Sequence, residues 1–168
     1  MTRWLDIVAK HPRVVLCGRS SVGKSTLARQ VTDRPVHNTG VQGLDGDTPV
    51  DIGFKGTPYY WLERLAPEAG PWLLEGTQAA RVARAWLRDS LGEPDAVVNV
   101  LGRFAPDDLG PDDLTADEDE NERKRGVALS RAKGQDTIWR DYLGLREAFG
   151  AKAPVFEGDE LWFSEEVG

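Results

Sequence analysis

The strongest constraint in this sequence is a short glycine-rich segment between two apolar stretches. Residues 18–25 read GRSSVGKS and match the pattern G-x-x-x-x-G-K-[ST] at every fixed position. The β-branched run at 13–17 predicts a buried strand before it, and residues 25–32 predict a helix after it. A chance glycine-rich turn would leave the lysine and the serine unexplained. The pattern therefore predicts a phosphate-binding loop made of Gly18, Arg19, Ser20, Ser21, Val22, Gly23, Lys24, Ser25 and Thr26.

This loop chemistry assigns expected roles to two side chains and indicates ATP and Mg²⁺ as ligands. The Lys24 ammonium would reach the β- and γ-phosphates, and the Ser25 hydroxyl would bind the metal ion. Such a site also needs an acidic residue at the end of a neighbouring strand. Glu75, which ends the apolar run WLLE, fits that requirement as a metal ligand or as a group that orients the nucleophile. The alternative is a carboxylate that only caps the following helix.

Strands alternate with helices along the chain, which is typical of a parallel sheet covered on both faces. Thr57 and Pro58 are expected to begin one helix as N-cap and first residue, and Thr115 with Glu118 predicts another that begins near residue 116. We therefore expect one α/β domain over 1–168, with a three-layer P-loop NTPase fold and a mainly parallel five-stranded sheet. The predicted strands are 13–17, 36–38, 72–75, 96–101 and 154–156; the other predicted helices are 2–10, 77–91 and one that ends at Gly150.

Composition restricts the partners of such a domain. The net charge of −7 makes nucleic acid an unfavourable partner without excluding it, because binding to nucleic acid depends on neutralising phosphates. No apolar run approaches the ~20 residues that span a bilayer, and the first residues lack the pattern of a signal peptide. Cys17 is the single cysteine, so an internal disulfide is impossible. The expectation is a cytoplasmic protein without a membrane partner, whose oligomeric state the sequence leaves open.

With the loop GRSSVGKST and the strand end LLEG, the chain resembles P-loop kinases of the nucleoside and nucleotide kinase group. It is also similar to small P-loop proteins of bacteriophages, in which a comparable segment follows the acidic strand, here residues 75–81, EGTQAAR. The resemblance implies an open sheet with the nucleotide at the carboxyl ends of the strands. It further implies a mobile basic lid and phosphoryl transfer to a small acceptor.

A basic segment lies where such kinases place their lid, around residues 103–134. Arg123, Arg125 and Arg131 are the candidate catalytic cations, because transfer from ATP needs positive charge around the moving phosphoryl group. The alternative is a solvated helix face that pairs with the acidic run just before it. That run has nine carboxylates between Asp107 and Glu122, and it is more simply a solvated loop than a cation site.

The acceptor side is expected in the glycine-rich segment 39–56. Asp45 and Asp47 are candidate carboxylates for an acceptor hydroxyl, although each alone is more simply explained as a turn residue beside glycine or proline. His37 could face this side, and Tyr59, Tyr60 and Trp61 could stack on a base. The competing readings are a structural histidine and aromatic residues of the core.

Two classes of function remain at this point. One is an ATP-dependent kinase acting on a nucleoside, a nucleotide or a related metabolite, with a polynucleotide or modified-base kinase as a lesser version. The other is an ATP-binding regulatory module or degenerate kinase. A GTPase would need a base-reading N-K-x-D segment, which the sequence lacks. An oligomeric ATPase would normally need a further helical domain.

Overall fold

The structure is a computed structural model that describes residues 1–40, 44–45, 48–49, 53–89, 92–105, 109 and 112–168. Five strands form one sheet in the order β2-β5-β1-β6-β7, and every pairing in it is parallel. All five predicted strands are confirmed. The described strands are β1 (Arg13–Gly18), β2 (Val36–Asn38), β3 (Leu44–Asp45), β4 (Thr48–Pro49), β5 (Trp72–Glu75), β6 (Ala96–Leu101) and β7 (Val155–Asp159), with β3 and β4 in a separate antiparallel pair.

Helices cover both faces of the sheet, which makes the three-layer α/β fold expected from the sequence. Along β1, Val15 and Cys17 pack against helices on one face of the sheet, whereas Val14 and Leu16 pack against helices on the other face. This alternation explains the continuous apolar run, since a strand buried on both faces has no polar side. The described helices are α1 (Arg3–Lys10), α2 (Lys24–Ala28), α3 (Gly53–Leu65), α4 (Ala79–Arg88), α5 (Glu118–Phe149) and α6 (Glu160–Ser164).

Several predicted helix ends were wrong. The helix after the phosphate loop was predicted to reach residue 32 but ends at Ala28, and α4 is shorter at both ends than the predicted 77–91. Helix α3 begins at Gly53, so Thr57 is not its N-cap and Pro58 lies inside it. Thr57 is fully buried, and a capping motif marks where a helix can begin rather than where it must.

The segment predicted as two helices is a single helix of 32 residues, α5. No proline interrupts it, and the three glycines within it cost only about 1 kcal/mol each. Its N-cap is Asp117, which accepts hydrogen bonds from the backbone N–H groups of Asp119 and Glu120, so the predicted Thr115–Glu118 box was wrong. No helix in the described part of the chain is long and apolar enough to span a membrane.

Candidate phosphate-transfer site

The glycine-rich loop leaves the end of β1 and enters α2, as the pattern predicts. Three residues in it have a positive φ: Gly18 at 143°, Ser21 at 60° and Gly23 at 102°. A Cβ on Gly18 would lie 2.6 Å from the backbone oxygen of Val100 on the neighbouring strand β6. Glycine is therefore needed at position 18 for both its backbone conformation and its lack of a side chain.

Lys24 is the most buried cation of the site. Its side chain is only 6% exposed, and its ammonium donates a hydrogen bond to the backbone oxygen of Arg19, within the loop itself. Burial lowers the pKa of Lys24 to about 8, although the nearby Glu75 carboxylate and Cys17 act in the opposite direction. Cys17 itself is inert, because burial raises the pKa of its thiol to about 12.

Glu75 ends β5, directly beside β1, where it pairs in register with Leu16. It is 5% exposed, and its Oε1 accepts a hydrogen bond of 2.5 Å from the Asn38 side-chain amide. A cleft of about 480 Å³ is lined by both Glu75 and Ser25, with Arg29 at the same surface. The sheet therefore brings the predicted acid and the predicted hydroxyl to one cleft.

This cleft fits a Mg²⁺ ion that is bound together with nucleotide phosphates. A carboxylate and a hydroxyl are ligands that Mg²⁺ accepts when phosphate oxygens and water complete its shell. Within the part of the chain that the structure describes, no group of three or more His, Cys, Asp or Glu residues could hold a metal ion alone. Ser25 and Glu75 are thus the residues that would hold it.

Hydrogen bonds join the end of β2 to the end of β5, an arrangement that the sequence did not predict. Thr39 donates its N–H to the Glu75 carbonyl oxygen at 2.9 Å, and the Thr39 hydroxyl accepts from the Gln78 N–H at 3.2 Å. Gly76 has a φ of 137°, and a Cβ there would overlap the Thr39 hydroxyl. Asn38 and Thr39 were missed because β2 is only three residues long and lacks a hydrophobic pattern.

Of the predicted acceptor residues, Asp45 lies on the short strand β3, and Asp47 lies outside the described residues. His37 is half-buried beside the Trp61 ring at 5.6 Å between centroids, and burial lowers the pKa of the imidazole. Trp61 Nε1 and Gln78 Oε1 are buried with no hydrogen-bond partner among the described residues. Because orphaned buried polar atoms are rare, this region is a candidate for ligand contacts.

The predicted lid arginines lie on α5. Arg123 pairs with Glu120 at 2.6 Å and Arg125 with Glu118 at 2.8 Å, while Arg131 is exposed. These ion pairs match the alternative reading, in which basic residues pair with the acidic run before them. A second cleft, about 580 Å³ in volume, lies along α3 from Tyr59 to the following Pro67, and its lining includes none of the phosphate-loop residues.

The depressed pKa of Lys24 predicts a measurable titration. In lysine ¹³Cε NMR, the resonance lost in Lys24→Met should titrate with a midpoint at about pH 8. The midpoint should fall in Glu75→Gln, because the attraction of the carboxylate is removed. Lys10→Met, on α1, is the control for the assignment, since it removes a different resonance. A midpoint near the ordinary lysine value of 10.5 would contradict the burial of this amine.

The chain was also compared with known families, curated proteins and solved structures. No family model matches the sequence, and no curated protein matches it. Among solved structures, the chain is similar to shikimate kinase from Bacteroides thetaiotaomicron, with 17% identity over 82% of this chain and 98% of that one, and a TM-score of 0.37. It is also similar to shikimate kinase from Acinetobacter baumannii in complex with shikimate, with 16% identity over 97% of this chain and 88% of that one, and a TM-score of 0.39.

Proposed function

We propose that this chain is an ATP-dependent kinase that transfers the γ-phosphoryl group of Mg-ATP to a small acceptor, with nucleosides and nucleotides as the favoured class. The observation that carries the proposal is the cleft lined by both Ser25 and Glu75, whose carboxylate attracts the buried amine of Lys24. A phosphate loop alone would fit any nucleotide-binding protein. A buried carboxylate at the adjacent strand end adds what phosphoryl transfer needs.

Each residue of this group has a specific part in the proposal. With a pKa of about 8, Lys24 is mostly protonated at pH 7, so its ammonium would bind the phosphate oxygens. Ser25 and Glu75 would hold Mg²⁺, which would neutralise negative charge on the phosphates. Loop residues from Gly18 to Thr26 would supply backbone N–H groups to the same oxygens.

The acceptor would bind near the end of β2. Support comes from two buried polar atoms, Trp61 Nε1 and Gln78 Oε1, for which the described residues supply no hydrogen bond. Trp61 contacts His37, and Gln78 contacts Thr39, so both lie near the same strand end. A small molecule with hydrogen-bonding groups and a flat apolar face, such as a nucleoside, suits these surroundings. Asp45 and Asp47 stay proposed as carboxylates for the acceptor hydroxyl.

The position of the predicted lid residues is the reason to keep a second candidate function. Arg123 and Arg125 are held by carboxylates of their own helix, and Arg131 is exposed, so an active kinase would have to draw at least one of them to the phosphates. If none moves, an ATP-binding regulatory or degenerate-kinase module fits better. The similarity to bacteriophage proteins, the cytoplasmic location and the low suitability of nucleic acid as a partner stay predictions, and the oligomeric state stays open.

The test is ADP release from Mg-ATP across a panel of nucleosides, nucleoside monophosphates and shikimate, with a single-stranded oligonucleotide included. We expect one nucleoside or monophosphate to stimulate release, and a Glu75→Gln variant to lose most of that stimulation. Glu63→Gln, on the exposed part of α3, is the matched control. ATP binding without stimulation by any acceptor would favour the regulatory module. Stimulation by the oligonucleotide alone would contradict a small acceptor.

A further inference from the structure

Both polar atoms of the Asn38 side-chain amide form hydrogen bonds, at the edge of the candidate site. Its Oδ1 accepts a hydrogen bond of 2.7 Å from the Gly40 N–H, and its Nδ2 donates to Glu75 Oε1 at 2.5 Å. The oxygen must face the backbone N–H and the nitrogen must face the carboxylate, so this network fixes the orientation of the amide. Asn38 therefore cannot turn without losing one of the two bonds.

The backbone beneath this contact is equally constrained. Asn38 and Glu75 are register partners in the parallel pair β2–β5, and the next residue, Thr39, donates its N–H to the Glu75 carbonyl oxygen. The Glu75 carboxylate has no other hydrogen-bond partner among the described residues. One carboxylate oxygen is therefore held by Asn38, whereas the described residues supply no donor to the other oxygen, and Glu75 lines the cleft that it shares with Ser25.

We infer that Asn38 is a positioning residue that holds the Glu75 carboxylate in the orientation in which it binds the metal–nucleotide complex. The inference rests on the proposed function, because it concerns the working orientation of Glu75. A neutral amide suits this task, since it donates a hydrogen bond without adding charge that would compete with a cation. A hydrogen-bond partner of this kind orients the side chain that binds the metal ion and does not bind the metal ion itself.

Two substitutions test the inference. In Asn38→Ala the carboxylate loses its donor, and we expect a 10- to 100-fold loss in kcat, with the KM for the acceptor little changed. In Asn38→Asp the donor becomes a second carboxylate, so turnover should fall further at pH 8. A purely structural role would not confine the loss to kcat while leaving the KM for the acceptor little changed.

Thr39→Val is the matched control, because it breaks the adjacent bond to the Gln78 N–H while the Glu75 carboxylate keeps its donor. The second readout is ATP affinity by calorimetry, with Mg²⁺ and with EDTA. We expect Mg²⁺ to tighten ATP binding in the unmodified protein and in Thr39→Val, and this gain to be 10- to 100-fold smaller in Asn38→Ala.

The two proposals fail in different ways. If no acceptor stimulates the unmodified protein, the kinase proposal fails, and the Mg²⁺ dependence of ATP binding still tests Asn38. If turnover occurs but Asn38→Ala and Thr39→Val behave alike in both readouts, the positioning role is overturned and the kinase proposal stands. If Mg²⁺ has no effect on ATP binding and no acceptor is phosphorylated, both are overturned.

Discussion

Replacing Lys24 by methionine is expected to abolish most nucleotide-dependent turnover and, at the same time, to make the protein more stable. Lys24 supplies the buried positive charge of the loop, and removing one preorganised group that stabilises transition-state charge costs about 10²- to 10³-fold in kcat. ATP affinity should fall as well, because the ammonium would contact the phosphates before and during transfer.

The expected gain in stability follows from the direction of the pKa shift. Burial lowers the pKa of Lys24 from 10.5 to about 8, so the folded state disfavours the charged amine. This cost is fully present below pH 8. It is relieved as the pH rises from about 8 to 10.5, because in that range the unfolded chain binds more protons than the folded one. Methionine has a similar length and no charge, so it removes the cost.

Thermal unfolding and coupled ADP release measure the two effects on the same samples. The melting temperature of Lys24→Met should exceed that of the unmodified protein at pH 7, and the difference should shrink as the pH approaches 10. Lys10→Met is the control, because Lys10 is exposed on α1 and pairs with Asp6 of the same helix. A lower melting temperature together with full activity would contradict both the burial of Lys24 and its proposed role. Such a gain in stability from the loss of a functional group is common at active sites.

The sequence predicted the sheet and the strand–loop–helix geometry of the glycine-rich segment well because both depend on short-range patterns. A strand buried on both faces reads as a continuous apolar run, as in Val14 to Cys17, and each of the other four sheet strands was also found. The loop pattern fixes residue types within eight positions, so its local geometry follows from neighbours in sequence. The position of Glu75 was predicted for a related reason, since a charge at the end of an apolar run marks the end of a strand.

The features that the sequence did not predict depend on contacts between residues that are far apart in the sequence. Asn38 and Glu75 are 37 positions apart, and nothing in the segment around Asn38 indicates which strand lies beside it. The spacing of Arg123 and Arg125 fits both an inward-facing lid and pairing with Glu120 and Glu118, and only the three-dimensional arrangement distinguishes them. The sequence predicted two helices where the structure has the single helix α5. The cause is similar, because packing overrides the weak local tendency of a glycine to end a helix.

Gly18→Ala is expected to be the most destabilising single substitution in the loop. At a φ of 143° an alanine is strained, and its Cβ would lie 2.6 Å from the Val100 backbone oxygen, which belongs to β6 and cannot rotate away. Backbone strain costs about 1–3 kcal/mol, and overpacking costs about as much again. The expected loss in the free energy of unfolding is therefore roughly 2–6 kcal/mol.

Two other glycines provide matched controls in chemical denaturation. In Gly102→Ala the added Cβ would meet the end of the Arg19 side chain, which can move, so the loss should be much smaller. In Gly126→Ala nothing lies within 4 Å of the added Cβ, and the residue is inside α5, so stability should rise by about 1 kcal/mol. Equal effects of the three substitutions would contradict the close approach of β1 and β6 at Gly18. The predicted loss in stability is therefore largest at Gly18, where the phosphate loop leaves the sheet. The close contact between β1 and β6 at this residue constrains both the strand pairing and the start of the loop.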